Sequence, residues 1–207
     1  MGALALLACG GGTGAPGAQA RTASPSAAPV SAKPLAAHPA DFGAVVMQEC
    51  PAPETGDLAG FAAAYRTGIP AHDRLAAAAA AVAQAGPVDT WVVSLAANAD
   101  AHPAWCKGSL GFAYGYEGQD KAPVATSFAL VFKDEATART VYAQVAPNLF
   151  AGGASAESAG FGANSTIRNN PSILWLVWQR GSRVAYLLCQ DVDTCLAAAK
   201  AMDARLV

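Results

Sequence analysis

Short apolar runs alternate with alanine-rich segments from about residue 57 onward, and this pattern predicts strands interleaved with helices. Strands are predicted where β-branched, aromatic and other apolar residues follow one another or alternate with small ones. They cover 88–95, 109–116, 126–133, 173–179 and 183–189. Helices are predicted where alanine, the best helix former, recurs behind capping residues. They cover 57–65, 72–85, 135–146 and 195–205.

The boundaries of these elements carry recognisable stop and start signals. Gly86-Pro87 is typical of a helix end, Asp134 of a helix N-cap, and Asp193 or Thr194 can cap the last helix. Gly181-Ser182 has the form of a tight hairpin turn between two apolar strands. Strands paired by hairpins, with helices between and after them, predict an α+β fold: a mainly antiparallel sheet with helices packed on one face.

The N-terminus carries a different pattern. Residues 3–8 form an apolar run, far shorter than the about 20 residues that span a bilayer, and Cys9 follows it. Leu6-Leu7-Ala8-Cys9 resembles the lipobox of bacterial lipoproteins, which implies a signal peptide remnant at 1–8 and a lipid attached to Cys9. Because the first cationic residue is Arg21, we expect the basic part of the signal peptide to lie upstream of Met1. The alternative is a soluble protein with an alanine-rich disordered leader.

Residues 9–40 consist mostly of Gly, Ala, Ser, Thr and Pro, with few large apolar side chains. Such a composition buries too little surface to fold and predicts a flexible tether. Residues 41–207 then form a single folded domain, which is long enough to enclose a core. The resemblance to lipoproteins implies that this domain lies in the cell envelope, anchored to the membrane on its extracytoplasmic side.

The number of the remaining cysteines is consistent with an exported protein. Cys50, Cys106, Cys189 and Cys195 are even in number, which in an exported chain predicts two disulfides. The short separation of Cys189 and Cys195 at a strand-to-helix turn favours their pairing and leaves Cys50 with Cys106, although two other connectivities stay open. A zinc site using His102 and Cys106 is the alternative. Structural zinc favours a C-x₂₋₄-C pair, which this chain lacks, so we predict no metal.

Charge and composition exclude several functions. The net charge of −2 and the 14% of charged residues provide no basic surface for nucleic acid. The glycines between 152 and 162 lack the spacing of phosphate-binding loops, so no cofactor is predicted.

Candidate catalytic residues are equally sparse. Residues 153–157 miss the G-x-S-x-G pattern by one glycine, and Asp191 with Asp193 supplies too few oxygens for calcium. The three histidines, at 38, 72 and 102, have no partner visible in sequence. We therefore predict no catalytic residue and no enzyme activity.

Aromatic residues provide the candidate binding site. In the strand at 109–116, Tyr116 shares a face with two other aromatic side chains, and Trp105 lies in the preceding loop. Trp175 and Trp178 are three positions apart, so a regular strand points them to opposite faces. Beneath a one-sided helical layer, one of the two lies on the open face and lines a groove. The alternative assigns the aromatic side chains of this strand to the core and covers the second tryptophan with the loop at 152–163.

Two segments carry a family resemblance: "FGANSTIRNN…ILWLVWQRGSRVAYLLCQDVDTCLAAAKAMDARL" and "ATSFALVFKDEATARTVYAQV". Their layout of strands, glycines and helices resembles the extracellular sensor domains of some mycobacterial serine/threonine kinases and related actinobacterial lipoproteins, over about residues 88–207. The resemblance implies a disulfide-bonded α+β module that binds a ligand in a groove of its sheet. The chain departs from the kinases in having no kinase domain or membrane-spanning segment.

These observations predict an exported, lipid-anchored, non-catalytic module that binds a small envelope ligand or acts as a sensor. The alternative is a structural or adaptor lipoprotein that binds another envelope protein, and the third hypothesis is an unrecognised hydrolase. A concave pocket lined by Trp175 or Trp178 favours binding, whereas a flat apolar patch favours the adaptor.

Overall fold

The computed structural model describes residues 30–64, 70–101, 103, 106, 124–149, 160–170, 173–190 and 192–207. The α-helices whose bounds the structure describes are α1 (Leu58–Ala64), α2 (Pro70–Gln84), α3 (Glu135–Leu149) and α4 (Val192–Arg205). The strands are β1 (Met47–Glu49), β2 (Asp89–Ala97), β3 (Val124–Val131), β4 (Asn164–Asn170), β5 (Ile173–Arg180) and β6 (Arg183–Cys189). Two short 3₁₀ helices, η1 (Lys33–Leu35) and η2 (Pro39–Phe42), precede β1. The predicted α+β class is confirmed.

The described strands form one antiparallel sheet in the order β1-β2-β3-β6-β5-β4. Phe128 of β3 pairs with Val92 of β2 on one side and with Tyr186 of β6 on the other. The β5–β6 hairpin turns where it was predicted, at Gly181-Ser182. Gly181 has a φ of +54°, a conformation that glycine adopts without steric cost.

Helix boundaries follow from local side-chain chemistry. The Asp134 Oδ1 atom accepts a hydrogen bond from the Thr137 amide at 2.7 Å, which confirms the predicted N-cap of α3. Gly86, with a φ of +73°, follows the end of α2, as the Gly86-Pro87 signal predicted. Helix α3 continues to Leu149, past the predicted end at 146.

Helices lie on both faces of the sheet, which corrects the prediction of a single helical layer. Helices α1, α2 and α3 cover what we call the first face, and α4 with η1 and η2 covers the second face. The physical reason lies in the strands, since all eight residues of β3 are buried. A strand that is apolar at successive positions requires cover on both sides.

The core of the first face centres on Phe128. Its ring packs edge-on against Phe61 of α1, with the ring centroids 5.2 Å apart, and lies 4.9 Å from the ring of Tyr186. Buried alanines of α2, including Ala76 and Ala79, let this helix approach the sheet closely. Burial of each large side chain stabilises the fold by about 1.5–3 kcal/mol.

The core of the second face combines apolar and polar contacts. The apolar residues include Leu176 and Trp178 from β5 and Ala198 and Met202 from α4. Among them lies Ser127, whose buried hydroxyl accepts a hydrogen bond from the Ala37 amide at 3.1 Å. This bond satisfies a backbone donor that burial would otherwise penalise.

The folded domain begins earlier than the predicted boundary at residue 41. Ala32, Leu35, Ala36 and Ala37 are buried in the second face, although they were assigned to the tether. The Ala32 amide donates to a carboxylate oxygen of Asp89 at 2.7 Å. Small residues supply little apolar area each, but they pack closely against a sheet, and composition alone does not reveal that fit.

Both predicted disulfides are present. Cys50 pairs with Cys106, with their Cα atoms 5.5 Å apart, and Cys189 pairs with Cys195, with their Cα atoms 5.9 Å apart. The first bond links residues 56 positions apart in the chain. The second joins the end of β6 to the first turn of α4.

Two strands were not predicted, and one predicted strand cannot be compared. Strand β1 is only three residues long, and β4 has the polar sequence NSTIRNN. Both lie at edges of the described sheet, where apolar residues on both sides are not required. The predicted strand at 109–116 lies outside the described residues.

Candidate functional site

The two tryptophans of β5 lie on opposite faces of the sheet, but neither lines an open groove. Trp175 belongs to the first face and is 4% exposed, whereas Trp178 belongs to the second and is fully buried. The expectation that one of them lies on an open face is therefore wrong, because helices cover both sides. The other aromatic candidates, Trp105 and Tyr116, lie outside the described residues.

Trp178 has a structural environment. Its ring packs against Phe161, with the ring centroids 5.8 Å apart. Gly162 lies so close that an added Cβ atom would collide with the Gln179 carbonyl oxygen. The buried indole N–H makes no hydrogen bond within the described part of the chain. These contacts make Trp178 a core residue that fixes the start of β4 against β5.

An open groove lies on the second face instead. It has a volume of about 470 Å³ and runs between the segment 40–45 and one side of α4. The α4 side is formed by Asp193, Thr194, Ala197 and Ala201. A volume of this size falls in the range of small-ligand sites, about 300–1,000 Å³. The small side chains of Ala197 and Ala201 leave the α4 side of the groove open.

Arg205 holds the first wall of the groove in place. Its guanidinium donates to both carboxylate oxygens of Asp41, at 2.8 and 2.7 Å, and to the Ala36 carbonyl oxygen at 2.8 Å. The Asp41 carboxylate also accepts the His38 amide at 2.7 Å. Paired hydrogen bonds between charged groups fix geometry as well as add stability. The wall at 40–45 is thereby fixed to the end of α4.

His38 also contributes to this wall. Its Nδ1 atom accepts a hydrogen bond from the Ala40 amide at 3.3 Å, and together with Asp41 it forms a capping box at the start of η2. His38 was predicted to lie in the tether. In the structure it caps a 3₁₀ helix.

The second wall depends on the Cys189–Cys195 disulfide. Asp193 and Thr194 lie between these cysteines in the chain, so the bond restrains their position relative to β6. Farther along α4, Arg180 binds Asp203, with Nε to Oδ1 at 2.9 Å. This carboxylate raises the pKa of Arg180, chiefly through the hydrogen bond. Both ends of α4 are therefore held to the sheet.

Two further cavities are too small for a ligand. One, of about 20 Å³, lies between α2 and α3, and the other, of about 10 Å³, lies between α2 and the sheet. A single water molecule needs about 10–15 Å³ on this measure, and it also needs polar partners. The second cavity is lined mainly by apolar side chains such as Leu58 and Val177.

Several candidate residues from the sequence cannot be placed. Cys9, His102, Asp191 and the near miss at 153–157 lie outside the described residues. Within the described ranges, no three His, Cys, Asp or Glu side chains are grouped to hold a metal ion. The helices in this part of the chain are also too short or too polar to cross a bilayer.

Sequence reasoning missed the groove, since its two walls are far apart in the chain. Residues 40–45 were divided between the predicted tether and the domain, and the alanines of α4 were taken simply as helix formers. No local pattern pairs these segments. The one available signal was the acidic Asp41, which can pair with a basic residue of the last helix.

The sequence has no match among protein families or curated proteins, and the fold has a distant match among solved structures. No known protein family matches the sequence, and no curated protein is similar enough to match. Among solved structures, the chain is similar to the extracellular domain of PknH from Mycobacterium tuberculosis, with a TM-score of 0.43 and 10% identity. The alignment covers 86% of this chain and 97% of that domain.

Proposed function

We propose that this protein is an exported, lipid-anchored module of the cell envelope that binds a small ligand in the groove between residues 40–45 and α4. The observation that carries the proposal is the groove itself, an open, shallow site of about 470 Å³ whose walls are held by Arg205 and by the Cys189–Cys195 bond. The two disulfides indicate an extracytoplasmic location, where such bonds persist. The lipobox-like segment ending at Cys9 supports the anchor.

The residues around the groove favour binding over catalysis. Asp41, the buried carboxylate of the first wall, is already committed to Arg205 and to the His38 amide. His38 uses its Nδ1 atom to cap η2. The alanines of the α4 side supply shape and apolar area. This combination suits a short peptide or a small, partly apolar envelope compound.

Native mass spectrometry of the protein extracted from its own envelope tests the proposal. We expect a reproducible non-covalent adduct that disappears in Ala197→Phe, which fills the groove, and persists in Ala204→Phe. Ala204 is exposed on the same helix and does not line the groove, so it controls for the added ring. An adduct that survives both changes places the ligand elsewhere, and a bare mass contradicts the binding proposal.

The anchor is tested separately. Cys9→Ser removes the proposed lipid attachment site, so we expect the protein to leave the membrane fraction and appear in the soluble fraction. Unchanged membrane association would contradict the anchor without bearing on the groove.

A second candidate function is an adaptor that binds another envelope protein. The edge strand β4 favours it, because one side of this strand has no neighbouring strand among the described residues. Such an edge can accept an added strand from a partner. A bare native mass together with a co-purifying envelope protein would support this function instead.

A further inference from the structure

One end of the domain gathers most of its exposed large apolar side chains. Within the described ranges these are Val30, Val46, Val88 and Val207, which are 42%, 75%, 62% and 81% exposed. Three of the four lie at the end where β2 begins and β3 ends. Val46 lies at the opposite end.

Hydrogen bonds place the three valines at the same end of the sheet. The Val88 amide donates to the Val131 carbonyl at 2.7 Å, which sets Val88 at the end of β3. Val30 lies two residues before Ala32, whose amide binds Asp89, the first residue of β2.

Val207 reaches the same end through its neighbour Leu206. The Leu206 carbonyl accepts a hydrogen bond from the Arg183 guanidinium. Arg183 itself pairs with Val131. We call the surface formed by Val30, Val88, Val207 and the Gly181-Ser182 turn the tether end.

Val46 provides the contrast. It precedes Met47, which pairs with Ala97 at the far end of β2. Strand β2 runs from Asp89 to Ala97. At about 3.3 Å per residue, the two ends of the sheet are roughly 25 Å apart.

The chain enters the domain at this end. Residues 1–29 join the described part at Val30. About 20 residues separate Cys9 from Val30, and a chain of that length spans roughly 25 Å on average where it forms a coil. An anchor at Cys9 would then hold the tether end within about one domain length of the bilayer.

Charged groups of both signs lie at the tether end. Lys133 is exposed, and the Lys33 ammonium lies 4.8 Å from the centre of the Trp91 ring. Carboxylates lie there too: Asp89 accepts the Ala32 and Thr90 amides, and Asp134, which accepts the Thr137 amide, lies 3.9 Å from the Lys133 ammonium. Lysines beside apolar side chains are typical of surfaces that rest on anionic bilayers.

We propose that the tether end is the membrane-facing surface of the domain, with Val30, Val88 and Val207 in contact with lipid. This inference rests on the proposed anchor at Cys9. It orients the groove, because the loop 43–45 and the N-terminal turn of α4 lie toward the opposite end of the sheet. This part of the candidate ligand site then lies at the end of the domain that is farther from the bilayer.

The fluorescence of added tryptophans reports how the domain is oriented on the membrane. Val88→Trp and Val207→Trp place a fluorophore at the tether end, and Val46→Trp places the matched control at the other end. Each full-length lipidated variant is reconstituted into vesicles of phosphatidylcholine and phosphatidylglycerol with and without brominated acyl chains. The emission of the native tryptophans is subtracted with the unsubstituted protein.

We expect brominated lipid to remove most of the added emission at positions 88 and 207 and to leave that at 46 almost unchanged. Equal quenching at all three positions, or stronger quenching at 46, would overturn the proposal. A full-length Cys9→Ser chain with six N-terminal histidines, held on nickel-chelating vesicles, is measured in parallel. The same difference is expected there, so a failure of native lipidation is distinguishable from a wrong orientation.

Discussion

The first face of the sheet is covered by alanine-rich helices that pack through apolar contacts. The second face is covered by α4 and two 3₁₀ helices, and ion-paired side chains also join these elements to one another. On the first face, Phe128 contacts Phe61 and Tyr186 in a continuous apolar core. On the second, a disulfide and the Arg205–Asp41 pair fix α4 and the entering chain.

The difference shows how one sheet supports both stability and a site. A face held by shape and apolar area must be filled, because empty space forfeits packing energy. A face held partly by directed bonds can leave a groove between its elements. The groove lies on the second face, between two walls that Arg205 and the Cys189–Cys195 bond restrain.

The largest effect is expected on the first face. Phe128→Ala removes a buried ring from the centre of that core and should lower the free energy of unfolding by about 3–5 kcal/mol. Urea denaturation measures the change, with Val88→Ala as an exposed control that should stay within about 0.5 kcal/mol. A loss below about 1 kcal/mol for Phe128→Ala would contradict the assignment of this ring to the core.

Removing the disulfide of the second face should lower the free energy of unfolding by less than Phe128→Ala does. Cys189→Ser with Cys195→Ser opens a loop whose ends are only six positions apart. The chain-entropy account gives a loss of about 2 kcal/mol for so short a loop. Hydrogen exchange should increase in the first turns of α4 and stay unchanged in α2. Increased exchange in α2 as well would mean that the two faces are not held independently.

The Arg205–Asp41 pair should have a smaller effect on stability and a local effect on structure. Arg205→Met leaves the nearly buried Asp41 carboxylate without its charged partner, and we expect a loss of about 1–2 kcal/mol. The Ala37 amide, which donates to Ser127, should exchange faster. Arg139→Met, which breaks an exposed pair with Glu135, is the matched control and should cost less than about 0.5 kcal/mol. Equal losses in both variants would contradict a structural role for Arg205.

The smallest effect concerns the cap of α3 and depends on pH. Hydrogen bonds from Thr137 lower the pKa of Asp134, so the folded protein holds this carboxylate ionised to a lower pH than the unfolded chain does. The stabilisation is therefore complete above the ordinary aspartate pKa and is lost as the pH falls through the lowered value.

Stability curves against pH measure this effect. Asp134→Ala should be less stable than the unsubstituted protein at neutral pH, and the gap should close in acid. Asp134→Asn keeps the cap without titrating, so the acid-dependent part should vanish. A gap that stays constant down to acid pH would show that the carboxylate charge is not what stabilises α3.

The local structure was readable from the sequence wherever a short-range signal was present. Gly181-Ser182 identified the hairpin, Asp134 the cap of α3, and the short spacing of Cys189 and Cys195 their pairing. Each of these features depends on residues within a few positions of one another. Their chemistry decides the conformation before the rest of the chain packs.

The cover of the second face was not foreseen, although one signal was available. The apolar runs Val124–Val131 and Leu174–Trp178 have little polar alternation, which is typical of strands buried on both sides. Trp175 and Trp178 point to opposite faces, as their spacing required, and both needed cover. Helix α4 and the segment 32–42 supplied it, and composition alone assigned residues 32–40 of that segment to a tether.

The most direct test of the account is the mass of the protein extracted from its own envelope and denatured without reduction. The account predicts a chain that begins at a lipid-modified Cys9 and is lighter by four hydrogens than its reduced form, because two disulfides are intact. A chain with unmodified Cys9, or with four free thiols among Cys50, Cys106, Cys189 and Cys195, would contradict an exported, anchored and disulfide-bonded module.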